Sequence, residues 1–96
     1  MAPLLRKEIM DVTVITTKEI IFKEEAENVI LPGENGVFEI LPFHKNFISR
    51  LIKGNVQIDN YFFLIRRGVV KVELNKVMMI IEKDLPVGRE RFSREP

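Results

Sequence analysis

Apolar and polar residues alternate along most of the chain. In Met10-Asp11-Val12-Thr13-Val14 the apolar side chains fall on every second position, and Val70, Val72 and Leu74 alternate with Lys71 and Glu73. A pleated strand sends successive side chains to opposite faces, so this pattern buries one face and wets the other. β-Branched and aromatic residues fill the runs, as strands prefer. The pattern predicts strands at 8–16, 19–23, 26–31, 37–41, 47–52, 55–59, 61–66, 69–74 and 77–82. Turn signals separate them at Thr16-Thr17-Lys18, Pro32 to Gly36, Pro42 to Asn46, Lys53-Gly54, Asp59-Asn60, Arg67-Gly68 and Asn75-Lys76. Residues 47–52 also fit one helical turn, since Phe47, Ile48, Leu51 and Ile52 follow i, i+1, i+4, i+5 spacing; strand is the preferred reading. Short strands punctuated roughly every eight to twelve residues predict an all-β antiparallel sandwich or barrel. No segment between turns is long enough for a crossover helix, which argues against a parallel βαβ sheet.

Composition narrows the picture. A chain of 96 residues makes one domain, burying roughly 60–65% of its unfolded surface. With 46% hydrophobic and 30% charged residues, the composition is that of a globular chain and argues against wholesale disorder. The domain is expected at 8–83. The tail 84–96, with prolines, a glycine and alternating charges around one large apolar residue, is expected to be mobile. The absence of cysteine rules out a disulfide framework and a thiolate metal site and fits a reducing compartment. A net charge of +1 argues against nucleic acid. No apolar run reaches the roughly 18–20 residues that span a bilayer, and MAPLLRKEIMDV lacks a signal peptide's apolar core and cleavage site. A soluble intracellular domain is the expectation.

Catalytic chemistry is thinly represented. His44 is the one histidine, and neither Ser49 nor Ser93 sits in a G-x-S-x-G elbow. No HExxH-type spacing is present to hold a transition metal. Glu24, Glu25 and Glu27 read as a solvated acidic stretch. Gly33 and Gly36 bracket Glu34-Asn35 and lead into a strand rather than a helix, so this is a tight connection and not a phosphate cradle. It reads either as structure alone or as a rigid polar loop at a sandwich end, where binding surfaces lie. His44 is either a local hydrogen-bonding residue or part of an interface with its aromatic neighbours. Of these, Phe47 is expected in the core and Phe43 exposed. Arg66-Arg67 is a solvated hairpin end or a site for a carboxylate. Together, residues 29–51 read as two adjacent sandwich-end turns.

Several segments in order resemble a known family: Glu19-Ile20-Ile21-Phe22-Lys23, Ala26 through Gly33, Glu34-Asn35-Gly36, Leu41-Pro42 with His44, Leu51 to Ile58, and Gly68 to Glu73 followed by Asn75-Lys76-Val77. From about Val12 to Glu82 they resemble the N-terminal sandwich of the rotary ATP synthase epsilon subunit (delta in mitochondria). Each motif is weak alone; their order and spacing are specific. The resemblance implies a two-sheet antiparallel β-sandwich of about ten short strands. It implies a non-catalytic central-stalk subunit of a proton- or sodium-translocating ATP synthase, with no cofactor or metal of its own. Such a subunit packs on the gamma subunit, stands on the c-ring and couples rotation between them. Membrane contact then comes only through the complex, at the cytoplasmic face of the cell membrane. Carried over by position, Glu34, Asn35, Gly36 and Val37 face the c-ring, while Thr16, Phe43, His44 and Ser49 lie towards gamma.

Departures from the family pattern point to a divergent branch with an altered partner surface. Phe43 and Glu39 stand where glycines are usual, Arg67-Gly68 replaces paired glycines, and Val37 replaces a common acidic residue. Bacterial members continue into a C-terminal helical hairpin. This chain stops at Pro96, so inhibition through that hairpin and an ATP site are not expected. The alternative is a free-standing β-sandwich adaptor in another assembly. A nucleic-acid-binding β-barrel is a distant third, because it calls for aromatic and basic residues interleaved on one face. In Tyr61-Phe62-Phe63, alternation sends at least one ring inward.

Overall fold

The computed structural model describes residues 8–84. They form eight strands: β1 (Met10–Ile15), β2 (Ile20–Ala26), β3 (Val29–Gly33), β4 (Gly36–Ile40), β5 (Phe47–Leu51), β6 (Gly54–Ile58), β7 (Tyr61–Glu73) and β8 (Lys76–Lys83). The all-β expectation holds, and residues 47–51 are strand rather than helical turn. The strands join in the order β2-β1-β8-β7-β5-β3-β4, with β6 pairing both β3 and β7. β7 serves two layers: Tyr61 to Ile65 pairs with β6, and Gly68 to Val72 pairs with β5. One layer is therefore β2-β1-β8-β7-β5 and the other β7-β6-β3-β4, the two faces of a sandwich that share a strand.

The passage between layers explains one correction. The β7–β8 register slips between Ile65 and Arg67, and an extra residue of this kind bends a strand. At Gly68 an added Cβ would lie 2.8 Å from the Ile80 carbonyl oxygen and 2.9 Å from Ile81 Cγ2, so the bend needs glycine. The expected Arg67-Gly68 turn is thus a bend inside one strand, and the segments at 61–66 and 69–74 are continuous. The pairing is antiparallel except between β1 and β8, which run parallel. The two are the first and last of the eight strands among the described residues, so the long connection that parallel neighbours require is the rest of the domain.

Alternation fills the interior as the pattern predicts. Met10, Val12 and Val14 from β1 face inward beside Val77, Met79 and Ile81 from β8, and Val29, Leu31, Val56 and Ile58 close over them from the second layer. Among the described residues no polar or charged side chain is buried. The alternation fails at Leu74, which is 77% exposed. The β7–β8 hairpin turns there, pairing Glu73 with Lys76 and leaving Leu74 and Asn75 as its loop.

Aromatic rings seal the two long sides between the layers. Phe22 of β2 meets Tyr61 of β7 at 5.2 Å between centroids, and Phe38 of β4 meets Phe47 of β5 edge-on at 5.9 Å. Edge-to-face and tilted pairs at these separations add to the area they bury. Phe47 packs on the core as expected, and of the three rings at 61–63 it is Phe63 that turns inward, while Phe62 stays 57% exposed. Asp84, placed in the tail by its composition, donates its backbone N–H to Leu64 O at 3.2 Å and lies 3.6 Å from Lys53 Nζ. The remaining tail, 85–96, lies outside the described residues.

Candidate functional site

The expected contact residues fall at two ends of the sandwich. β4 separates the 34–35 turn from the 41–46 turn, so the turns that are adjacent in sequence stand about 17 Å apart at opposite strand ends. At the first end, β3 and β4 close with Gly33 opposite Gly36, leaving Glu34-Asn35 as a two-residue loop. The turn is tighter than the expected 32–36, because Pro32 and Gly33 belong to β3. Neither Glu34 nor Asn35 has positive φ; Gly36 takes φ 123°, a region suited to glycine, and nothing lies within 4 Å of where its Cβ would be. Glu34, Asn35, Gly36 and Val37 are all exposed, Val37 to 74%. The structure therefore brings these four together as one projecting tip. Arg50 Nη1 lies 3.7 Å from Glu34 Oε2, a solvent-exposed pair of little energetic weight.

The second end is built differently. His44 N donates to Leu41 O at 3.1 Å, closing a turn in which Phe43 takes φ 65°. The facing β7–β8 hairpin loop has Leu74 at φ 52° and Asn75 at φ 63°. For a bulky residue, the left-handed region costs roughly 1–2 kcal/mol. Asparagine side chains hold both loops in place. Asn75 Oδ1 accepts from Phe43 N at 2.8 Å and Asn75 Nδ2 donates to Ile9 O at 2.8 Å, while Asn46 Oδ1 accepts from Leu74 N at 3.0 Å. The corner nevertheless turns apolar side chains to water: Leu41 is 50%, Phe43 68% and Leu74 77% exposed.

The other candidates are dispersed. His44 is half-buried, its ring 5.0 Å from Phe47 and its Nδ1 3.0 Å from Lys45 O. Ser49 lies half-buried in β5, on the same side of the strand as Phe47 and Leu51, and its hydroxyl donates to Arg50 O at 3.2 Å. Each is engaged by local backbone; Ser93, the other serine weighed as a nucleophile, lies outside the described residues. Thr16 accepts from Lys18 N and Glu19 N in the β1–β2 turn. That turn is at the far end of β1 from Ile9, about 20 Å from the Phe43 corner. The structure thus groups Phe43 with His44 and separates Thr16 from both.

Sequence reasoning missed three participants: Asn46, Leu74 and Asn75. A signal existed, since asparagine tolerates left-handed backbone better than other side chains, but nothing local says which loop it ties. The acceptor sought for Arg66-Arg67 is within the chain: Glu82 takes Arg67 Nε at 2.9 Å and lies 3.7 Å from Arg66 Nε. A further feature appears only from the register. Ile20, Ile15, Ile80 and Val69 are successive cross-strand partners from β2 to β7. Ile20, Ile80 and Val69 are 59%, 50% and 42% exposed, so an apolar row crosses the outer face of the first layer.

Comparisons with known proteins converge on one group. The chain is 35% identical over 74 residues to the ATP synthase epsilon chain of Campylobacter fetus, covering 72% of this chain and 57% of that one. It is 31% identical over 87 residues to the epsilon chain of Rickettsia typhi, covering 83% and 79%. It spans 61% of the Janthinobacterium epsilon chain, so the match is to part of some relatives' length. Its fold resembles a chain in the Euglena gracilis mitochondrial ATP synthase (TM-score 0.73, 16% identity, 95% of this chain and 59% of that one). It also resembles one in the Tetrahymena thermophila mitochondrial ATP synthase central stalk and c-ring (TM-score 0.68, 18% identity, 82% and 67%). The family model for the β-sandwich domain of the ATP synthase delta/epsilon chain matches residues 9–84. The chain belongs to that family.

Proposed function

We propose that this chain is a non-catalytic central-stalk subunit of a proton- or sodium-translocating ATP synthase, coupling rotation between the gamma subunit and the c-ring. The observation that carries the reading is the family match across 9–84, in a domain whose two turn-bearing ends are fixed on opposite ends of one short strand. A part that transmits torque must hold its contact loops at a set separation, and a cross-paired sandwich whose buried side chains, among the described residues, are all apolar does so.

In this reading the tip Glu34-Asn35-Gly36-Val37 meets the polar loops of the c-ring, and Phe43 and His44 meet gamma. Thr16 stands at the end opposite Phe43, so a gamma subunit that touches both runs the length of the sandwich. Such a subunit would also cover the row of Ile20, Ile15, Ile80 and Val69. Ser49 supports this surface from within β5. No helix among the described residues is long and apolar enough to cross a membrane. Attachment at the cytoplasmic face of the cell membrane, through the complex, completes the proposal.

Affinity capture from detergent-solubilised membranes of the native host is the test. Recovery of gamma and c subunits in stoichiometric amounts is the expected result. Recovery of a different complex without them would favour the adaptor reading and overturn this one.

A further inference from the structure

We propose that Phe43, with Leu41 and Leu74 beside it, is a preset apolar knob that selects the cognate gamma subunit by entering an apolar socket on its surface. The inference rests on the reading of the 41–46 corner as gamma-facing and adds to it the chemistry of the contact and the residue that decides partner choice.

Two observations carry it. Phe43 and Leu74 occupy left-handed backbone, where glycine or asparagine would sit with less strain, and neither side chain is buried in return (68% and 77% exposed). Within the domain, then, both residues carry a conformational cost without a packing gain. Strain of this kind persists only where the surroundings enforce it. Here they do: Asn75 grips Phe43 N and Ile9 O, and Asn46 grips Leu74 N. The corner is therefore rigid as well as apolar.

Rigidity argues for the class of partner. Lipid accepts apolar side chains in any arrangement and gains nothing from a fixed one. A shaped protein socket does gain, because the knob loses little freedom on entering it, and a buried aromatic anchor in such a socket dominates an interface. Glycine at this position would leave a bare turn that many partners could accommodate. A phenyl ring held outward admits only a partner with a matching cavity.

The experiment uses the full chain, its Phe43→Gly, Phe43→Tyr and Leu74→Asn variants, and the purified gamma–c-ring assembly from the same genome. Thermal unfolding and binding affinity are measured side by side. Phe43→Gly and Leu74→Asn should unfold at the wild-type temperature or slightly above it, yet bind at least about tenfold more weakly, as loss of an interface anchor does. Phe43→Tyr should bind like wild type. Wild-type affinity in both weakening variants, with the parent chain bound, overturns the knob alone. A parallel fall in stability and affinity overturns it as well, by making the residues structural. Failure of the parent chain to bind overturns the stalk reading and the knob with it. The same chains are spun with vesicles of phosphatidylethanolamine and phosphatidylglycerol; sedimentation that depends on Phe43 would assign the corner to lipid and contradict the socket.

Discussion

The two ends of the sandwich reach rigidity by different routes. At the 34–37 end the chain follows ordinary turn chemistry: two polar residues with negative φ, then glycine at φ 123°. The tip is polar except for Val37, and its ion pair with Arg50 is exposed. At the 41–46 end three non-glycine residues take positive φ in two loops stapled together by asparagine side chains. The first end is stiff because its hairpin is short. The second is stiff because separate parts of the chain hold each other, and it uses that stiffness to keep apolar groups in water. An end with no internal reason for its strain is where an outside partner is to be sought.

Four substitutions sharpen this contrast, and equilibrium denaturation of the isolated chain reads all of them. Asn75→Ala has the largest expected effect, about 2–3 kcal/mol, since it removes two hydrogen bonds and a residue suited to its φ. Gly36→Ala should cost about 1–2 kcal/mol through backbone strain alone, because its Cβ would meet nothing within 4 Å. Asn46→Ala, which loses the single bond to Leu74 N, should cost about 1 kcal/mol. Glu34→Gln should change stability by less than about 0.5 kcal/mol, given the exposure of its pair with Arg50. If Asn75→Ala proved as mild as Glu34→Gln, the two ends would not differ in the way described.

Much of this architecture was legible along the chain. The inward residues of β1 could be read directly, because side-chain period is a local property and Val12 and Val14 obey it, whereas Val77 to Ile81 of β8 are all apolar and their inward face shows only in the structure. The projecting tip was legible for the same reason, being a turn between two short runs. Gly68 misled, because glycine marks both turns and close backbone approaches, and only the neighbouring Ile80 carbonyl shows which applies. The stapled corner was illegible: Phe43 and Asn75 are 32 residues apart, Asn46 and Leu74 are 28 apart, and no periodicity couples them. Phe43 could be named as a departure from the family's glycine, yet its strained backbone is visible only in three dimensions.

The central claim is that one rigid body offers its 34–37 tip and its 41–46 corner to two different subunits. The chain contains no cysteine, so a single cysteine introduced by Asn35→Cys or His44→Cys is a unique cross-linking site in the assembled complex. The account predicts that Asn35→Cys links to the c subunit and His44→Cys links to gamma. Both positions linking to one subunit, or neither linking to either, would contradict it.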